Sequence, residues 1–247
     1  MRWRNARVLG WTGALAAVSG ARAQCAPQWS AYPGPPLDHG VYALSVWDAD
    51  GSGPSPPVVV AGGSFGLVGT MPMVAVGLWN GSSWSPMGER LDGDVRAVTT
   101  YDPDGAGPLP VEPVIGGFFT HSGPTVLNGI GILRNGQWTA LGSGPGGVSG
   151  PSVEALTVMG TDLIAGGIFT TMGGIPAVHI ARWDDSAWHP FTQDLIYHAA
   201  FHVHNNELYS GGGGYLWPSL ESVARWNGSG WNALGQNSPR DTVCALT

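Results

Sequence analysis

The chain contains no lysine, and all ten of its cationic residues are arginine. Four of them, Arg2, Arg4, Arg7 and Arg22, precede the expected cleavage site of a signal peptide. The mature chain therefore keeps 6 Arg against 17 acidic residues, a net charge of −11 with His neutral. Because binding to phosphate backbones or anionic lipid needs clustered cations, nucleic acid is not expected as a partner.

A long hydrophobic run is also missing. The apolar stretch at residues 8–20 is shorter than the roughly 20 residues of a membrane-spanning helix and is interrupted by Thr12 and Ser19. It follows the N-terminal arginines and precedes the small-x-small sequence Ala21-Arg22-Ala23. This order predicts a signal peptide over residues 1–23 and a secreted, periplasmic or cell-surface protein without membrane insertion. A lipoprotein signal at Cys25 is less favoured, because the residues before it are not small or branched apolar ones.

Catalytic motifs are absent as well. Ser, His and Asp all occur, but no nucleophile elbow, no paired carboxylates and no metal-binding helix motif bring them together. We therefore predict no catalytic residue.

Glycine and tryptophan are abundant, with 40 Gly and 12 Trp, and they recur in register. A glycine pair is followed by a Phe, then by a large apolar residue fourteen positions later, then by a Trp after five more. The repeated residues are Gly62, Gly63, Phe65, Trp79 and Trp84; Gly116, Gly117, Phe119, Leu133 and Trp138; Gly166, Gly167, Phe169, Trp183 and Trp188; and, after the glycines at 211–214, Trp226 and Trp231. The last Trp recurs at steps of 54, 50 and 43 residues, a spacing typical of propeller blades.

Each repeat contains four strand patterns. The repeats open at about residues 41, 95, 153 and 198, and a partial one begins at 243. Opening strands that are apolar on both faces indicate sheets covered on both sides, and Asn-Gly pairs predict hairpin turns. We predict one all-β domain over residues 24–247, a β-propeller of four-stranded blades with four complete repeats. A shared or incomplete fifth blade would be built from the strand at Trp29 and the strand at 243. The alternative is an open fragment of a larger ring.

The glycine pair that ends the second strand, followed by an aromatic residue and a later Trp, resembles the kelch-like group of propeller repeats. The fuller pattern GGxFT…IARWDGxxW, best seen over residues 166–188, is similar to that of secreted bacterial repeat proteins. The resemblance covers nearly all of residues 41–247 and implies a propeller fold. It does not imply one function, because propellers carry many unrelated activities.

Three histidines distinguish the fourth opening strand. His198, His202 and His204 lie on one face if this strand is straight. Imidazoles facing a central channel could bind zinc or copper, although the strand rise spreads the three over roughly 20 Å. The alternative is that they are solvated or core histidines.

Two acidic insertions between first and second strands resemble the start of a calcium-binding loop. They read Asp48-Ala49-Asp50-Gly51 and Asp102-Pro103-Asp104-Gly105. Neither has a third Asp or a Glu at the spacing that calcium loops use. The alternative is a longer hairpin stabilised by Asx-type turns.

The only two cysteines, Cys25 and Cys244, lie outside the complete repeats at either side. In a propeller whose first and last strands share a blade they would be neighbours, and an exported protein meets an oxidising compartment. We predict a disulfide between them. The alternative is a lipid-bearing or unpaired Cys25 and a buried Cys244.

The function expected from these patterns is a monomeric, non-catalytic, secreted propeller that binds a protein or a glycan through loops on one rim. No cofactor is required by this interpretation. The alternative is an extracytoplasmic lyase or hydrolase that uses the histidine strand with a bound metal.

Overall fold

The computed structural model describes residues 34–148, 150–192, 198–212 and 223–234, all within one compact unit that spans residues 34–247. Every regular element in the described part of the chain is a β-strand. No helix capable of crossing a membrane occurs among these residues.

The strands follow the four predicted repeats. The first repeat contains β1 (Val41–Trp47), β2 (Val58–Gly63), β3 (Leu67–Val68), β4 (Met71–Pro72), β5 (Val76–Trp79) and β6 (Trp84–Pro86). The second contains β7 (Asp94–Tyr101), β8 (Glu112–Phe118), β9 (His121–Ser122), β10 (Thr125–Val126), β11 (Ile130–Arg134) and β12 (Gln137–Ala140).

The third and fourth repeats continue the pattern. The third contains β13 (Pro145–Gly146), β14 (Ser152–Met159), β15 (Asp162–Ile168), β16 (Thr171–Met172), β17 (Ile175–Pro176), β18 (Ile180–Trp183) and β19 (Trp188–Pro190). The fourth contains β20 (Ala200–His204), β21 (Glu207–Gly211), β22 (Val223–Trp226) and β23 (Trp231–Ala233).

Each repeat forms one four-stranded antiparallel sheet in which consecutive long strands are neighbours. We number them sheet 1 (β1-β2-β5-β6), sheet 2 (β7-β8-β11-β12), sheet 3 (β14-β15-β18-β19) and sheet 4 (β20-β21-β22-β23). The opening strands of successive sheets contact one another, β1 with β7, β7 with β14 and β14 with β20. The all-β class and the four-stranded repeat are therefore confirmed, whereas a closed ring is not formed by the described residues.

The sequence did not predict the short hairpins between the second and third long strands. They are β3–β4, β9–β10 and β16–β17. Each pairs with the segment that precedes its own sheet, through Leu37 with Val68, Leu91 with Ser122 and β13 with β16. These hairpins lie at one end of the sheets, which we call the hairpin rim.

A β-bulge lies near the start of β1, β7 and β14. In sheet 3 the pairing shifts between Val153 and Ala155, and the same shift occurs in sheets 1 and 2. Because a bulge adds one residue to the strand, it changes which side chains share a face. Val153 therefore lies on the same face as Leu156, and both approach Gly116 of sheet 2.

The repeated glycines allow close contact, as expected from the sequence. A Cβ on the first glycine of each pair would meet the next sheet, at Val95 for Gly62 and at Val153 for Gly116. A Cβ on the second glycine would instead meet backbone, the Asp94 carbonyl oxygen in the case of Gly117. The glycine pair therefore sets both the separation of the sheets and the path of the opening strand.

A separate apolar core fills each space between neighbouring sheets. Val60, Val95 and Ile115 lie between sheets 1 and 2. Val114, Val153 and Leu163 lie between sheets 2 and 3, and Ile164, Ile180 and Leu208 lie between sheets 3 and 4. The sheets thus stack face to face in chain order.

The last Trp of sheets 2 and 3 bonds to the neighbouring sheet. The indole N–H of Trp138 donates to the Met87 carbonyl at 3.1 Å, and that of Trp188 donates to the Leu141 carbonyl at 2.8 Å. The acceptor lies three residues after the previous repeat's Trp in both cases. A glycine follows it, Gly88 or Gly142, and each packs against the indole.

The Asn-Gly turns are of two kinds. Asn135 and Gly136 both have positive φ and form the expected two-residue hairpin turn. In sheets 1 and 4, the side-chain oxygen of Asn80 or Asn227 instead accepts backbone N–H bonds from the loop. Asp184 does the same in sheet 3. These three are Asx-type turns.

Several predictions concern residues outside the described part of the chain. They are the signal peptide over residues 1–23, the strand at Trp29, the partial repeat at 243, and the Cys25–Cys244 disulfide. They remain predictions.

The indole bond between sheets can be measured with a matched pair of variants. Trp188 and Trp183 are both buried in sheet 3, with ring centroids 5.4 Å apart, but the Trp183 N–H finds no hydrogen-bond partner in the described structure. Trp188→Phe should therefore lower the free energy of unfolding by about 1–2 kcal/mol more than Trp183→Phe does. Urea denaturation of both variants measures the difference. Equal losses would show that the bond contributes nothing.

A second prediction concerns the residue ten positions after the buried Phe. Ala75, Gly129 and His179 occupy this position with φ of 64°, 80° and 62°, and their carbonyls accept the N–H of Gly63, Gly117 and Gly167. A left-handed conformation costs a residue with a Cβ about 1–2 kcal/mol, and the Ala75 methyl is buried. In Ala75→Gly the relief of this strain should offset the lost burial of the methyl, so the free energy of unfolding should stay within about 0.5 kcal/mol of the wild type.

Gly129→Ala is the reciprocal variant. Its Cβ would lie 3.1 Å from both the Gly117 carbonyl oxygen and Pro145 Cγ, so we expect a loss of at least about 1 kcal/mol. Thermal unfolding of both variants tests the pair. An Ala75→Gly variant destabilised by clearly more than about 0.5 kcal/mol would contradict the strain argument.

Candidate functional site

The structure separates the three histidines of the fourth opening strand. His202 and His204 lie side by side on one face of β20, with ring centroids 6.2 Å apart. His198 precedes the strand and is turned to the other face, where it and Phe201 both contact Gly166 of sheet 3. The expectation that all three share a face is therefore wrong, because the opening strand does not run straight from His198.

His198 is part of the core between sheets 3 and 4. Its side chain is 0% exposed, and its Nδ1 lies 2.6 Å from the Ser210 hydroxyl oxygen. The ring packs against Phe201 and Trp231, with centroids 5.3 and 5.0 Å away. The alternative that the sequence left open, a core histidine, describes this residue.

The two acidic insertions are stabilised by their own side chains. Asp50 accepts the N–H of Ser55 at 3.0 Å, and Asp104 accepts that of Leu109 at 3.1 Å. Both bonds span five residues and close a long hairpin loop, and Asp102 adds an Asx-type contact by accepting the N–H of Asp104 at 3.3 Å. Among the residues that the structure describes, no three His, Cys, Asp or Glu side chains are grouped closely enough to hold a metal ion. The geometry thus gives no support to calcium or zinc there.

Carboxylates at the end opposite the hairpin rim are paired with arginine. Arg134 contacts Glu112 at 2.9 Å and Asp185 at 3.0 Å, which links sheets 2 and 3. Arg182 contacts Asp162 at 2.9 Å. Burial, reinforced by the nearby Asp185 and Asp162, raises the pKa of Tyr101 to about 12. This phenol stays neutral near pH 7 and cannot serve as a base there.

The hairpin rim carries a different surface. An apolar groove lies between sheet 3 and the connection that precedes it, and Val148, Pro151, Ile168 and Phe169 line it together with Thr170 and His179. Phe118 lies beside it, because a Cβ on Gly150 would be 3.0 Å from the Phe118 ring. Phe118 is 55% exposed, and Val148 and Ile168 are also exposed. These three side chains, which we call the rim triad, form a hydrophobic surface around the groove.

The groove depends on the connection between sheets 2 and 3. Val153 lies fifteen positions after Trp138, whereas Val95 lies eleven positions after Trp84. The longer connection pairs with the hairpin of sheet 3 through β13 and β16, and Thr170 donates its N–H to the Gly146 carbonyl at 2.9 Å. The connection is thus held beside Ile168 and Phe169, and it presents Val148 to solvent.

One titratable side chain lines the groove. His179 Nδ1 lies 2.9 Å from the Gly167 carbonyl oxygen. Since a carbonyl only accepts hydrogen bonds, the Nδ1 carries the proton, and Nε2 of the neutral ring is an acceptor. The groove therefore combines apolar walls with one imidazole acceptor and the Thr170 hydroxyl.

Sequence reasoning placed a binding site on rim loops but did not find these residues. The available signal was the residue before the buried Phe, which is Ser64 in the first repeat, Phe118 in the second and Ile168 in the third. The second signal was the unusual length of the Trp138–Val153 connection.

The hydrogen bond between His198 and Ser210 can be tested by a double-mutant cycle. Val95 and Val153 occupy the place of His198, and Ala165 occupies that of Ser210 in sheet 3. His198→Val removes the hydrogen-bond partner of the buried Ser210 hydroxyl, and Ser210→Ala removes the hydroxyl that contacts His198 Nδ1. Each single variant should lower the free energy of unfolding by about 1–3 kcal/mol. The double variant restores the chemistry of sheet 3. Its loss should be smaller than the sum of the two, and additive losses in urea denaturation would contradict the pairing.

No protein-family model matches the chain, and no curated protein is similar to it at a significant level.

Proposed function

We propose that the protein is a non-catalytic, exported β-propeller that binds another protein through the apolar groove on the hairpin rim. In this proposal sheets 1 to 4 are blades, and the hairpin rim is the binding rim. The kelch-like resemblance, the face-to-face stacking and the adjacent opening strands support the blade arrangement. The rim triad is the observation that carries the binding proposal.

The chemistry of the groove favours an apolar protein segment. Phe118, Val148 and Ile168 are exposed together, and a large exposed apolar surface typically marks an interaction site. The His179 acceptor and the Thr170 hydroxyl supply the few polar contacts that orient a ligand in such a groove. A peptide with one or two large apolar side chains and a donor between them fits this combination.

A glycan is less well matched. Sugars stack on exposed indole faces, but the described tryptophans are buried or half-buried between sheets. Trp183 and Trp188 pack on each other with centroids 5.4 Å apart, and Trp226 and Trp231 do the same at 5.5 Å. Their faces are used in packing. We therefore propose a protein, and not a glycan, as the ligand of this groove.

The enzyme alternative has lost its specific support. It uses a metal site lined by His198, His202 and His204, and His198 instead contacts Ser210 in the core between sheets 3 and 4. A remaining pair of imidazoles on β20 does not make a catalytic site without further ligands.

Selection from a random peptide library displayed on phage tests the proposal, with a glycan array probed in parallel. We expect the selected peptides to carry paired large apolar residues. Phe118→Ser should weaken a selected peptide at least about tenfold in isothermal titration calorimetry, because the exposed ring contributes apolar contact area.

Leu109→Ser is the matched control. Leu109 is comparably exposed but lies in the insertion at the opposite end of sheet 2. It should bind the peptide as the wild type does. Equal weakening by both variants, or binding only on the glycan array, would contradict the proposal.

A further inference from the structure

One position of the opening strands differs from repeat to repeat. In sheets 1 to 3 the strand begins with Val and has Ala two positions later, and the residue between them is Tyr42, Arg96 or Glu154. The bulge lies at this residue, between Val153 and Ala155 in the case of sheet 3. A bulge redirects the side chain of the extra residue. The variable side chain therefore lies beside the glycine pair, at the end of the sheet from which the hairpin rim extends.

The variable residue of sheet 3, Glu154, lies beside the groove. Ser152 pairs directly with Ile168 of the rim triad, and directly paired residues place their side chains on the same face of a sheet. The Ser152 hydroxyl donates to Glu154 Oε1 at 2.6 Å, which holds the carboxylate near Ile168. Pro151, which also lines the groove, precedes Ser152 in the chain. A carboxylate is thus placed at the edge of an apolar groove.

No arginine in the described part of the chain forms an ion pair with Glu154. Arg96, the equivalent residue of sheet 2, instead contacts Asp94 at 3.3 Å and lies over the Tyr42 ring, 4.5 Å from its centroid. Tyr42 is held in turn because its hydroxyl donates to Ser64 Oγ at 3.0 Å. The arginine of this row is therefore engaged with sheets 1 and 2, and the negative charge beside the groove stays uncompensated.

We propose that the protein segment bound in the groove carries a lysine or arginine next to its apolar residues, and that Glu154 binds this cation. The inference rests on the proposed binding of a protein at the rim triad, and it names the residue that selects the ligand. A carboxylate at the edge of an apolar groove favours a positive charge at the facing ligand position and disfavours a negative one. The acidic net charge of the chain acts in the same direction, because it attracts cationic segments.

A double-mutant cycle between protein and peptide tests this contact. A peptide selected on the wild type is synthesised with an acetylated N-terminus, so that its cations are side chains. Changing its lysine or arginine to methionine should weaken binding to the wild type about three- to tenfold in isothermal titration calorimetry. The same peptide change should have little effect on binding to Glu154→Gln, which still accepts the Ser152 hydroxyl but carries no charge. The same loss of affinity in both proteins would overturn the inference.

Glu89→Gln is the matched control. Glu89 is exposed in the connection between sheets 1 and 2, and its side chain lies against Gly123 of the sheet 2 hairpin. This variant removes the same charge from the same rim and should bind the peptide as the wild type does. If Glu89→Gln weakened binding as much as Glu154→Gln, the overall charge of the rim would explain the attraction and the inference would be wrong.

The outcomes separate this inference from the proposed function. Selected peptides that lose affinity for Phe118→Ser but carry no basic residue, or carry an acidic one instead, would keep the groove as the binding site and overturn the role of Glu154. Binding that disappears on acetylation would assign the cation to the terminal amine and would also overturn it. If no selected peptide depended on Phe118, both the proposed function and this inference would fail.

Discussion

The close contact of glycine with the neighbouring sheet is the constraint on which this structure depends. The first glycine of each pair contacts two side chains of the next opening strand, as seen at Gly62, Gly116 and Gly166. Because no Cβ intervenes, the sheets approach closely enough for one continuous core to fill each space. The second glycine of each pair lets the backbone of the bulged opening strand lie close to the second strand. Two adjacent glycines therefore determine both the path of the strand and the separation of the sheets.

The repeat residues predicted the all-β class and the four-stranded sheets because their roles are local and recur. The glycine pair, the buried Phe and the Trp pair each have one place in a sheet. Because three or four copies occur, the pattern can be recognised even where one copy has a different residue. Leu133 shows the limit of this drift, since it replaces a Trp and still fills the core with Trp138. Ring closure could not be predicted in the same way, because it depends on contacts between distant repeats.

The sites were harder to predict because they depend on departures from the repeat. His198 lies on the face opposite His202, because the chain does not run straight from His198 into β20, and strand periodicity alone does not reveal such a departure. The groove depends on how the long Trp138–Val153 connection folds, which its glycine-rich sequence does not specify. Leu44 and Leu156 occupy the same position of their opening strands, but Leu44 is exposed whereas Leu156 packs against sheet 2. The sequence does not distinguish the two.

His198 shows how a repeat accommodates a polar residue in its core. An imidazole at a Val position would be costly if its nitrogens lost hydrogen bonds on burial. The residue opposite changes with it: Ser210 stands where sheet 3 has Ala165, and its hydroxyl reaches Nδ1 at 2.6 Å. The ring also fills the space between Phe201 and Trp231. One of the three candidate metal ligands is thus explained by packing. Two apolar surfaces remain unexplained by packing, the rim triad and the exposed side chains of Val41, Leu44 and Val46 on β1. Both are apolar and exposed, and the rim triad is the surface on which the proposed protein binding rests.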